Sequence, residues 1–133
     1  MEDSVFTKII KGELPSHKVY EDDSVIAFTP LYMTGQGHVL VVPKLQVPYF
    51  YDVPTAEYQN LMVVVQKIAK IMKQVVGSKF VGVKIVGTDV PHTHIHVIAF
   101  DTSAQYSTLP DESSDPDHNA LEAFAESLRS KLY

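Results

Sequence analysis

The stretch Pro91-His92-Thr93-His94-Ile95-His96-Val97-Ile98 contains three of the six histidines of the chain within five residues, with one residue between neighbours. A period of two is typical of a β-strand, whose side chains point alternately to opposite faces. The three histidines are therefore predicted to share one face of a strand over about residues 92–100. Same-face neighbours on such a strand lie about 7 Å apart, and the outer pair lies about 13 Å apart.

The spacing of this row is compatible with three different roles. A tetrahedral metal ion binds imidazole nitrogen at about 2 Å, so two of the rings can share one ion but three hardly can, and further ligands would have to come from His17, His38 or acidic side chains. The row is also compatible with a solvated surface feature on an edge strand. Since free imidazole titrates at about pH 6.5, a fixed row suits proton transfer or nucleophilic attack on phosphorus as well.

The residues that precede the row predict both helices and strands. A short amphipathic helix is expected near the start of the chain, and Gly12 ends it. Two extended runs, residues 18–21 and 24–28, are separated by an acidic turn and predict a hairpin. A nearly continuous apolar run over residues 38–42 stops at Pro43, as a buried strand does.

The rest of the chain predicts one long helix, a further strand and a terminal helix. Apolar residues recur at helical spacing over about residues 55–76, and a strand is expected at about 80–86. Residues 43–54 and 101–117 are expected to be irregular, and a last helix is expected over about 118–131. The predicted fold class is α+β, with a five-stranded, mainly antiparallel sheet, one long helix, a short N-terminal helix and a C-terminal helix.

The composition is that of one ordinary globular domain. The chain has 133 residues, of which 45% are hydrophobic and 20% are charged. It has no cysteine, which excludes disulfide scaffolds, thiolate metal sites and cysteine nucleophiles. Because the sequence shows no apolar leader after Met1 and no run of about 18 apolar residues, we expect a cytoplasmic protein with no membrane partner.

The net charge of −5 comes from the end of the chain. Residues 1–100 contain nine basic and nine acidic residues, whereas residues 101–133 contain two basic and seven acidic ones. An acidic chain with Arg129 as its single arginine is not expected to bind nucleic acid. Since the acidity lies outside the histidine row, it does not argue against the binding of a phosphate compound there.

Residues His92–Ile98 resemble the signature of the histidine-triad (HIT) family, in which histidines alternate with hydrophobic residues and two more hydrophobic residues follow. Thr93 stands at a position that is usually apolar. Three earlier blocks resemble the opening helix, the first hairpin and the fourth-histidine strand of the same family, in the same order: Phe6–Pro15, Lys18–Phe28 and Gly37–Lys44. The resemblance covers about the first hundred residues and is to nucleotide hydrolases and transferases, particularly to short-loop, bacterial-type members.

The resemblance implies a HIT-like fold and a homodimer whose two sheets join, with a site for a purine nucleotide-like molecule in each subunit. It implies that His94 attacks the α-phosphate of a nucleotide derivative, that a covalent nucleotidyl-histidine forms, and that water then releases the nucleoside monophosphate. The main-chain carbonyl of His92 would fix the tautomer of His94. His96 would hydrogen-bond phosphate oxygens, while His92 and His38 would support the site. No metal or other cofactor is needed for this chemistry.

By position, the resemblance also implies a nucleotide-binding set. The base pocket would consist of Phe6, Ile9, Phe28 and Leu31, and Thr88, at a position where glutamine is usual, would complete the nucleotide-binding residues. For Ile9 and Phe28, membership of the hydrophobic core is an equally good interpretation.

The chain departs from the family pattern at several positions. Ser4 and Thr7 stand where many members have zinc-binding cysteines, and Gln46 replaces a common histidine, so no zinc site is expected. Pro30 stands where a ribose-binding aspartate is usual. Asp89 stands where serine or threonine is usual, and a carboxylate facing phosphates would repel them, so it either points away or indicates a different substrate.

The leading functional hypothesis is a nucleotide phosphoramidase or nucleotidyl hydrolase. The alternatives are a nucleotide-binding or adaptor protein with little activity, a dinucleoside polyphosphate hydrolase, and a metal-dependent protein that uses the histidine row. We expect residues 1–103 to form the HIT domain. Residues 104–133 are expected to be an acidic C-terminal extension, a loop plus a helix, that is not an independent domain.

Overall fold

The computed structural model describes all 133 residues, which form a five-stranded sheet with four helices. A short 3₁₀ turn, Phe50–Asp52, lies in the loop before the long helix. In chain order the elements are α1 (Val5–Ile10), β1 (Lys18–Glu21), β2 (Val25–Phe28), β3 (Gly37–Pro43), α2 (Thr55–Val76), β4 (Phe80–Lys84), β5 (Ile95–Phe100), α3 (Ser103–Ser107) and α4 (His118–Leu132). The predicted α+β class and the five-stranded sheet are confirmed.

The strands lie in the order β1-β2-β3-β5-β4, and every neighbouring pair is antiparallel. β5 therefore lies inside the sheet, between β3 and β4. In the register of β3 with β5, Leu40 is opposite His96 and His38 is opposite Ile98. This pairing brings the fourth histidine of the expected set next to the row.

The two faces of the sheet carry different clusters of apolar side chains. The face that packs against α2 includes Val39, Val41, Ile95 and Val97 in the main hydrophobic core. The residues between them on each strand point to the opposite face, as the period of two requires. On that second face Phe6, Ile26, Phe28, Leu40 and Val42 form a smaller cluster. The histidines His38, His94 and His96 alternate with main-core residues and so share this second face.

The long helix α2 forms where the spacing of its apolar residues predicted it. Its buried residues Leu61, Val64, Val65, Ile68 and Met72 form one stripe against the sheet. The helix ends at Gly77, whose φ of 72° is in the left-handed region that glycine tolerates and whose N–H bonds to the carbonyl of Lys73.

Two predicted boundaries were wrong near the histidine row. β5 begins at Ile95 and not at His92, because the residues before Ile95 bond to other partners, although β3 continues two residues beyond Val41, the partner of Ile95. Thr93 donates both its N–H and its hydroxyl to the carbonyl of Val47, in the loop after β3. β4 likewise ends at Lys84, two residues earlier than predicted.

The segment after β5 is more regular than predicted. The stretch 101–117, which was expected to be irregular, contains the helix α3, whose first turn is capped by the side chain of Thr102. Asp117 caps α4 as expected, and Leu121, Ala125 and Leu128 are buried along one side of that helix. Ala125 and Leu128 belong to the main core. No helix is both long enough and apolar enough to pass through a bilayer.

Candidate active site

A cavity of about 900 Å³ opens on the face of the sheet opposite α2. It is lined by the side chains of the small apolar cluster at one end and by histidines at the other. Of the residues predicted for the site, Phe6, Ile9, Phe28, Leu31, His38, Thr88, His94 and His96 line it. His92 does not line the cavity and lies behind it, so the structure separates the members of the row.

Burial contradicts the interpretation of the row as a solvated feature of an edge strand. His92 and His94 are 0% and 1% exposed, and β5 has a neighbouring strand on both sides. The ring centroids of His94 and His96 are 5.1 Å apart, and the edge of Phe6 lies against both His92 and His94.

The orientation of His94 is fixed from one side of its ring. Nδ1 lies 2.7 Å from the main-chain oxygen of His92. Because a carbonyl can only accept, Nδ1 carries the hydrogen, and Nε2 of the neutral ring is left with its lone pair. This is the contact that the family resemblance implied. Nε2 lies 3.4 Å from Oδ1 of Asp89, so the carboxylate faces the ring and does not point away.

His38 and His96 form a directional hydrogen-bonded pair. The main-chain N–H of Thr34 donates to Nδ1 of His38, which leaves Nε2 of His38 as a donor. That donor lies 2.9 Å from Nδ1 of His96. The hydrogen of His96 is therefore on Nε2, and His96 offers an N–H donor at the cavity that it lines.

The environment keeps this pair uncharged. Burial, followed by the charges of His96 and Lys84, lowers the pKa of His38 to about 3. Burial, followed by the charges of His94 and Lys84, lowers the pKa of His96 to about 4. At neutral pH both rings are neutral, so the direction of hydrogen bonding described above holds.

Both ring nitrogens of His92 are bonded within the protein. Nε2 donates to the main-chain oxygen of Pro43 at 2.7 Å, so Nδ1 is an acceptor. The hydroxyl of Ser4 donates to Nδ1, also at 2.7 Å. Burial lowers the pKa of His92, while the bond to Pro43 acts in the opposite direction.

Ser4 belongs to a polar cluster with Thr7 and Gln46, the three residues that depart from the zinc-binding pattern of the family resemblance. Ser4 caps α1 by accepting from the N–H of Thr7. Oε1 of Gln46 accepts from the main-chain N–H of Ser4 and from the hydroxyl of Thr7. No three His, Cys, Asp or Glu side chains are grouped so that they could hold a metal ion. The cluster instead satisfies its own hydrogen bonds.

The predicted base-pocket residues are also core residues. Phe6 and Phe28 have ring centroids 5.5 Å apart, and Ile9 packs against the same small cluster. Leu31 is 53% exposed at the cavity. The side chains thus form an apolar wall, and membership of the core and of the cavity are compatible for Ile9 and Phe28.

The polar group beside this wall is a threonine. Pro30 lines the cavity but offers no side-chain donor or acceptor. Thr29, which also lines the cavity, is 4% exposed, and its Oγ1 is the one buried side-chain oxygen or nitrogen without a hydrogen-bond partner. A buried hydroxyl without a partner is costly, and a ligand that bonds to it would remove this cost.

Sequence reasoning missed several residues of the cavity. Lys84 contributes a positive charge, and the C-terminal extension contributes Leu109, Pro110, Glu112 and His118. Two further histidines also line the cavity: Nε2 of His17 lies 2.9 Å from Nδ1 of His118, and Nδ1 of His17 contacts Glu122. These contacts join positions about a hundred residues apart, and no local motif marks them.

Comparisons with known proteins give one consistent result. A family model described as HIT domain matches residues 11–103. The purine nucleoside phosphoramidase of Escherichia coli K12 is 33% identical in an alignment of 104 residues that covers 73% of this chain and 87% of that protein. The adenosine 5′-monophosphoramidase of Saccharomyces cerevisiae is 34% identical in an alignment of 98 residues that covers 71% of this chain and 60% of that protein.

A solved structure agrees with the sequence relatives. A Hit-like protein from Bartonella henselae, described as involved in cell-cycle regulation and as containing an unknown ligand, superposes with a TM-score of 0.84. The two chains are 30% identical, and the match covers 96% of this chain and 95% of that one. The likeness therefore includes the region of α4, beyond the end of the matched family model.

Proposed function

Because this chain belongs to the histidine-triad (HIT) family, we propose that it is a nucleotidyl hydrolase, with nucleoside phosphoramidates as its first candidate substrates. His94 is proposed as the nucleophile that attacks the α-phosphorus. The intermediate would be a covalent nucleotidyl-histidine, which water converts to the nucleoside monophosphate. The names of the bacterial and yeast relatives, both phosphoramidases, favour this reaction class.

The observation that carries the proposal is the state of His94. Its Nδ1–H is bonded to the carbonyl of His92, so the lone pair of a neutral ring is on Nε2, at the cavity. A neutral imidazole with a fixed tautomer is a competent nucleophile at pH 7. His96 offers an N–H to a phosphate oxygen, and Lys84 adds a positive charge. These groups suit a reaction at phosphorus without a metal ion.

The proposal is tested by trapping the intermediate. Wild-type protein would be mixed with an adenosine or guanosine 5′-phosphoramidate, denatured at alkaline pH to preserve a P–N bond, and analysed by intact mass and peptide mapping. We expect a nucleotidyl adduct on His94 and release of the nucleoside monophosphate. An adduct on another residue, or continued turnover by His94→Ala, would reject His94 as the nucleophile.

A nucleotide-binding protein with little activity is the second candidate, favoured by Pro30 at the position of the usual ribose carboxylate. Binding of nucleoside monophosphate without turnover of phosphoramidates, dinucleoside polyphosphates or nucleotide sugars would support it. The unpartnered hydroxyl of Thr29 supplies a polar group near Pro30 and so supports ribose binding by this chain.

Thr29→Val tests this role of the hydroxyl. The substitution keeps the size of the side chain and removes a buried oxygen that has no partner, so the free energy of unfolding should not fall. If the hydroxyl bonds to the ribose, KM should rise about tenfold with little change in kcat. A fall in stability without a change in KM would assign Thr29 to the fold alone.

We also propose that the protein is a homodimer. β4 is the last strand of the sheet, and its outer side has no partner strand. Phe80 and Val83 on this strand are exposed, which is costly for a monomer. Light scattering during size-exclusion chromatography should give twice the mass of the chain, and Val83→Lys should shift the protein toward the monomer. A wild-type monomer at micromolar concentration would reject the proposal.

A further inference from the structure

Asp89 is a second reactive group at the cavity. It follows the turn at Gly87, where φ is +78°, and its carboxylate accepts from the main-chain N–H of Val90 at 3.0 Å. The side chain is 70% exposed, yet Oδ1 lies 3.4 Å from Nε2 of the buried His94. No Lys or Arg lies within ion-pair distance of Asp89, so this carboxylate is not neutralised by a basic side chain.

The contact between Asp89 and His94 is suited to sharing a proton. With Nδ1–H bonded to His92, Nε2 of a neutral His94 is an acceptor, and the carboxylate oxygen is an acceptor as well. One proton between these two acceptors would join them by a hydrogen bond. The separation of 3.4 Å is longer than a closed hydrogen bond, as is common for catalytic groups before substrate binds.

We infer that Asp89 carries the proton that a departing amine needs, so that this residue adapts the site to nitrogen leaving groups. The inference rests on the proposed function, since it concerns the same attack by His94. The usual objection to a carboxylate near phosphates is its repulsion of negative charge. Asp89 and His94 with one shared proton carry no net charge as a pair, so this objection does not apply to a site that holds the proton.

The first half of the reaction transfers the nucleotidyl group to His94 and releases the amine. Asp89 takes the proton that it shares with His94, and the lone pair of Nε2 forms a bond to the α-phosphorus. The P–N bond to the leaving group breaks, its electron pair stays on the leaving nitrogen, and that nitrogen takes the proton from Asp89. A neutral amine departs, and the nucleotidyl group remains on Nε2.

The second half uses the same carboxylate as a base. A water molecule gives one proton to Asp89 while its oxygen bonds to phosphorus. The P–Nε2 bond then breaks, and its electron pair returns to the imidazole. The products are one amine and one nucleoside monophosphate for each water consumed, and Asp89 and His94 again share one proton.

Substrates with different leaving groups distinguish proton donation to an amine from an effect of Asp89 on every substrate alike. An alkylamine is strongly basic and cannot depart without a proton, whereas sulfate is weakly basic, departs without one and is negatively charged. Asp89 should therefore accelerate the release of the amine and have little effect on the release of the sulfate. General acid–base catalysis of this kind contributes about 10²–10⁴-fold.

The test compares wild type, Asp89→Asn and Asp89→Glu on two substrates with the same nucleotide, an adenosine 5′-alkylphosphoramidate and adenosine 5′-phosphosulfate. Asparagine keeps the shape of the side chain and removes the charge and the transferable proton. We expect Asp89→Asn to lower kcat/KM for the phosphoramidate about 10²-fold and to change it less than about threefold for the phosphosulfate. Asp89→Glu should recover part of the phosphoramidate activity.

The outcomes separate the two proposals. If Asp89→Asn changes both substrates by the same factor while the wild type is active, the inference about the leaving group is wrong and the proposed hydrolase stands. If the wild type releases nucleoside monophosphate from neither substrate, the proposed function fails and this inference fails with it. Because Asp89 is largely exposed, both variants should keep the urea midpoint of the wild type, which confirms that the kinetic changes do not come from unfolding.

Discussion

His92 and His94 are two residues apart and equally buried, yet their surroundings are opposite. Both nitrogens of His92 are bonded to protein atoms, the carbonyl of Pro43 on one side and the hydroxyl of Ser4 on the other. His94 has only one nitrogen bonded in this way, and the other faces Asp89 at the cavity. The imidazole of His92 is thus fully hydrogen-bonded within the protein, whereas the imidazole of His94 has one nitrogen available for a reaction.

The difference shows that burial does not by itself indicate the role of a histidine in this row. What separates the two residues is whether the second nitrogen has a protein partner. His92 also acts on its neighbour through its main chain, since its carbonyl fixes the tautomer of His94. His92, with both ring nitrogens bonded, therefore positions His94, which has one ring nitrogen facing the cavity.

The largest expected effect comes from substituting His94 and His92 one at a time. His94→Ala should abolish turnover, a loss of at least about 10⁴-fold, because it removes the proposed nucleophile. His92→Leu should keep measurable turnover but lower the free energy of unfolding by about 1–3 kcal/mol, because leucine can bond neither to the carbonyl of Pro43 nor to the hydroxyl of Ser4. Rates of phosphoramidate hydrolysis and urea unfolding, measured on both variants, give the comparison.

The two variants must differ in kind for the comparison to hold. His94→Ala should still bind nucleoside monophosphate and should unfold cooperatively. Equal losses of activity in both variants, with equal stability, would show that the two histidines do not have separate roles.

The next largest effect is expected at Ser4, whose hydroxyl bonds to Nδ1 of His92. Ser4→Ala removes the donor to Nδ1 of His92 and also the cap of α1, so we expect stability to fall by about 1–3 kcal/mol. We expect kcat to fall about tenfold with KM little changed, because the carbonyl of His92 is held less firmly against His94. Urea unfolding and steady-state kinetics measure both.

Thr7→Val is the matched control for this prediction. It removes a hydroxyl of the same polar cluster that donates to Gln46 at 2.6 Å and lies 3.3 Å from Nδ1 of His92, farther than the 2.7 Å of the Ser4 hydroxyl. Stability should fall, while kcat should change less than in Ser4→Ala. A larger loss of kcat in the threonine variant would argue against positioning through His92.

The smallest expected effect is a pH dependence at the other end of the row. Burial lowers the pKa of His38 to about 3 in the folded protein, whereas the unfolded chain titrates at about 6.5. Between these values the unfolded state binds more protons, so the free energy of unfolding falls as the pH falls below about 6.5. One histidine that stays neutral in the fold costs about 2 kcal/mol between about pH 7 and pH 5.

The contribution of His38 is isolated by a residue that does not titrate. His38→Asn should lose less stability between about pH 7 and pH 5 than the wild type, by about 2 kcal/mol, in urea unfolding at each pH. An unchanged pH dependence would show that His38 is not held neutral in the fold.

Most of the fold could be predicted from the sequence because its signals are local. The apolar stripe of α2, its glycine stop and the short runs of β1, β2 and β3 each follow from a few neighbouring residues. The start of β5 could not be predicted in this way. The alternation of histidine with other residues in the sequence includes residues 92–94, but Thr93 bonds to the loop after β3 and not to a strand.

The candidate site likewise contains some residues that a local sequence pattern predicted and others that it could not predict. The motif identified three histidines, and the resemblance to a family identified His38 and most of the apolar wall. The cluster of Ser4, Thr7 and Gln46 and the cavity residues of the extension depend on contacts across the chain, which no local pattern encodes. The direction in which Asp89 points is also a property of the folded loop.

The pairing of β3 with β5 has a consequence for how the protein folds. It joins His38 to His96, which are 58 residues apart, with all of α2 and β4 between them. Pairing of distant strands is slow because a long loop must close before contacts reward it, whereas the β1–β2 hairpin and α2 form from local contacts. The site is therefore among the last parts of the molecule to assemble. During synthesis no fragment that ends before β5 can contain it, so the chemistry of this protein begins only when nearly the whole sheet is complete.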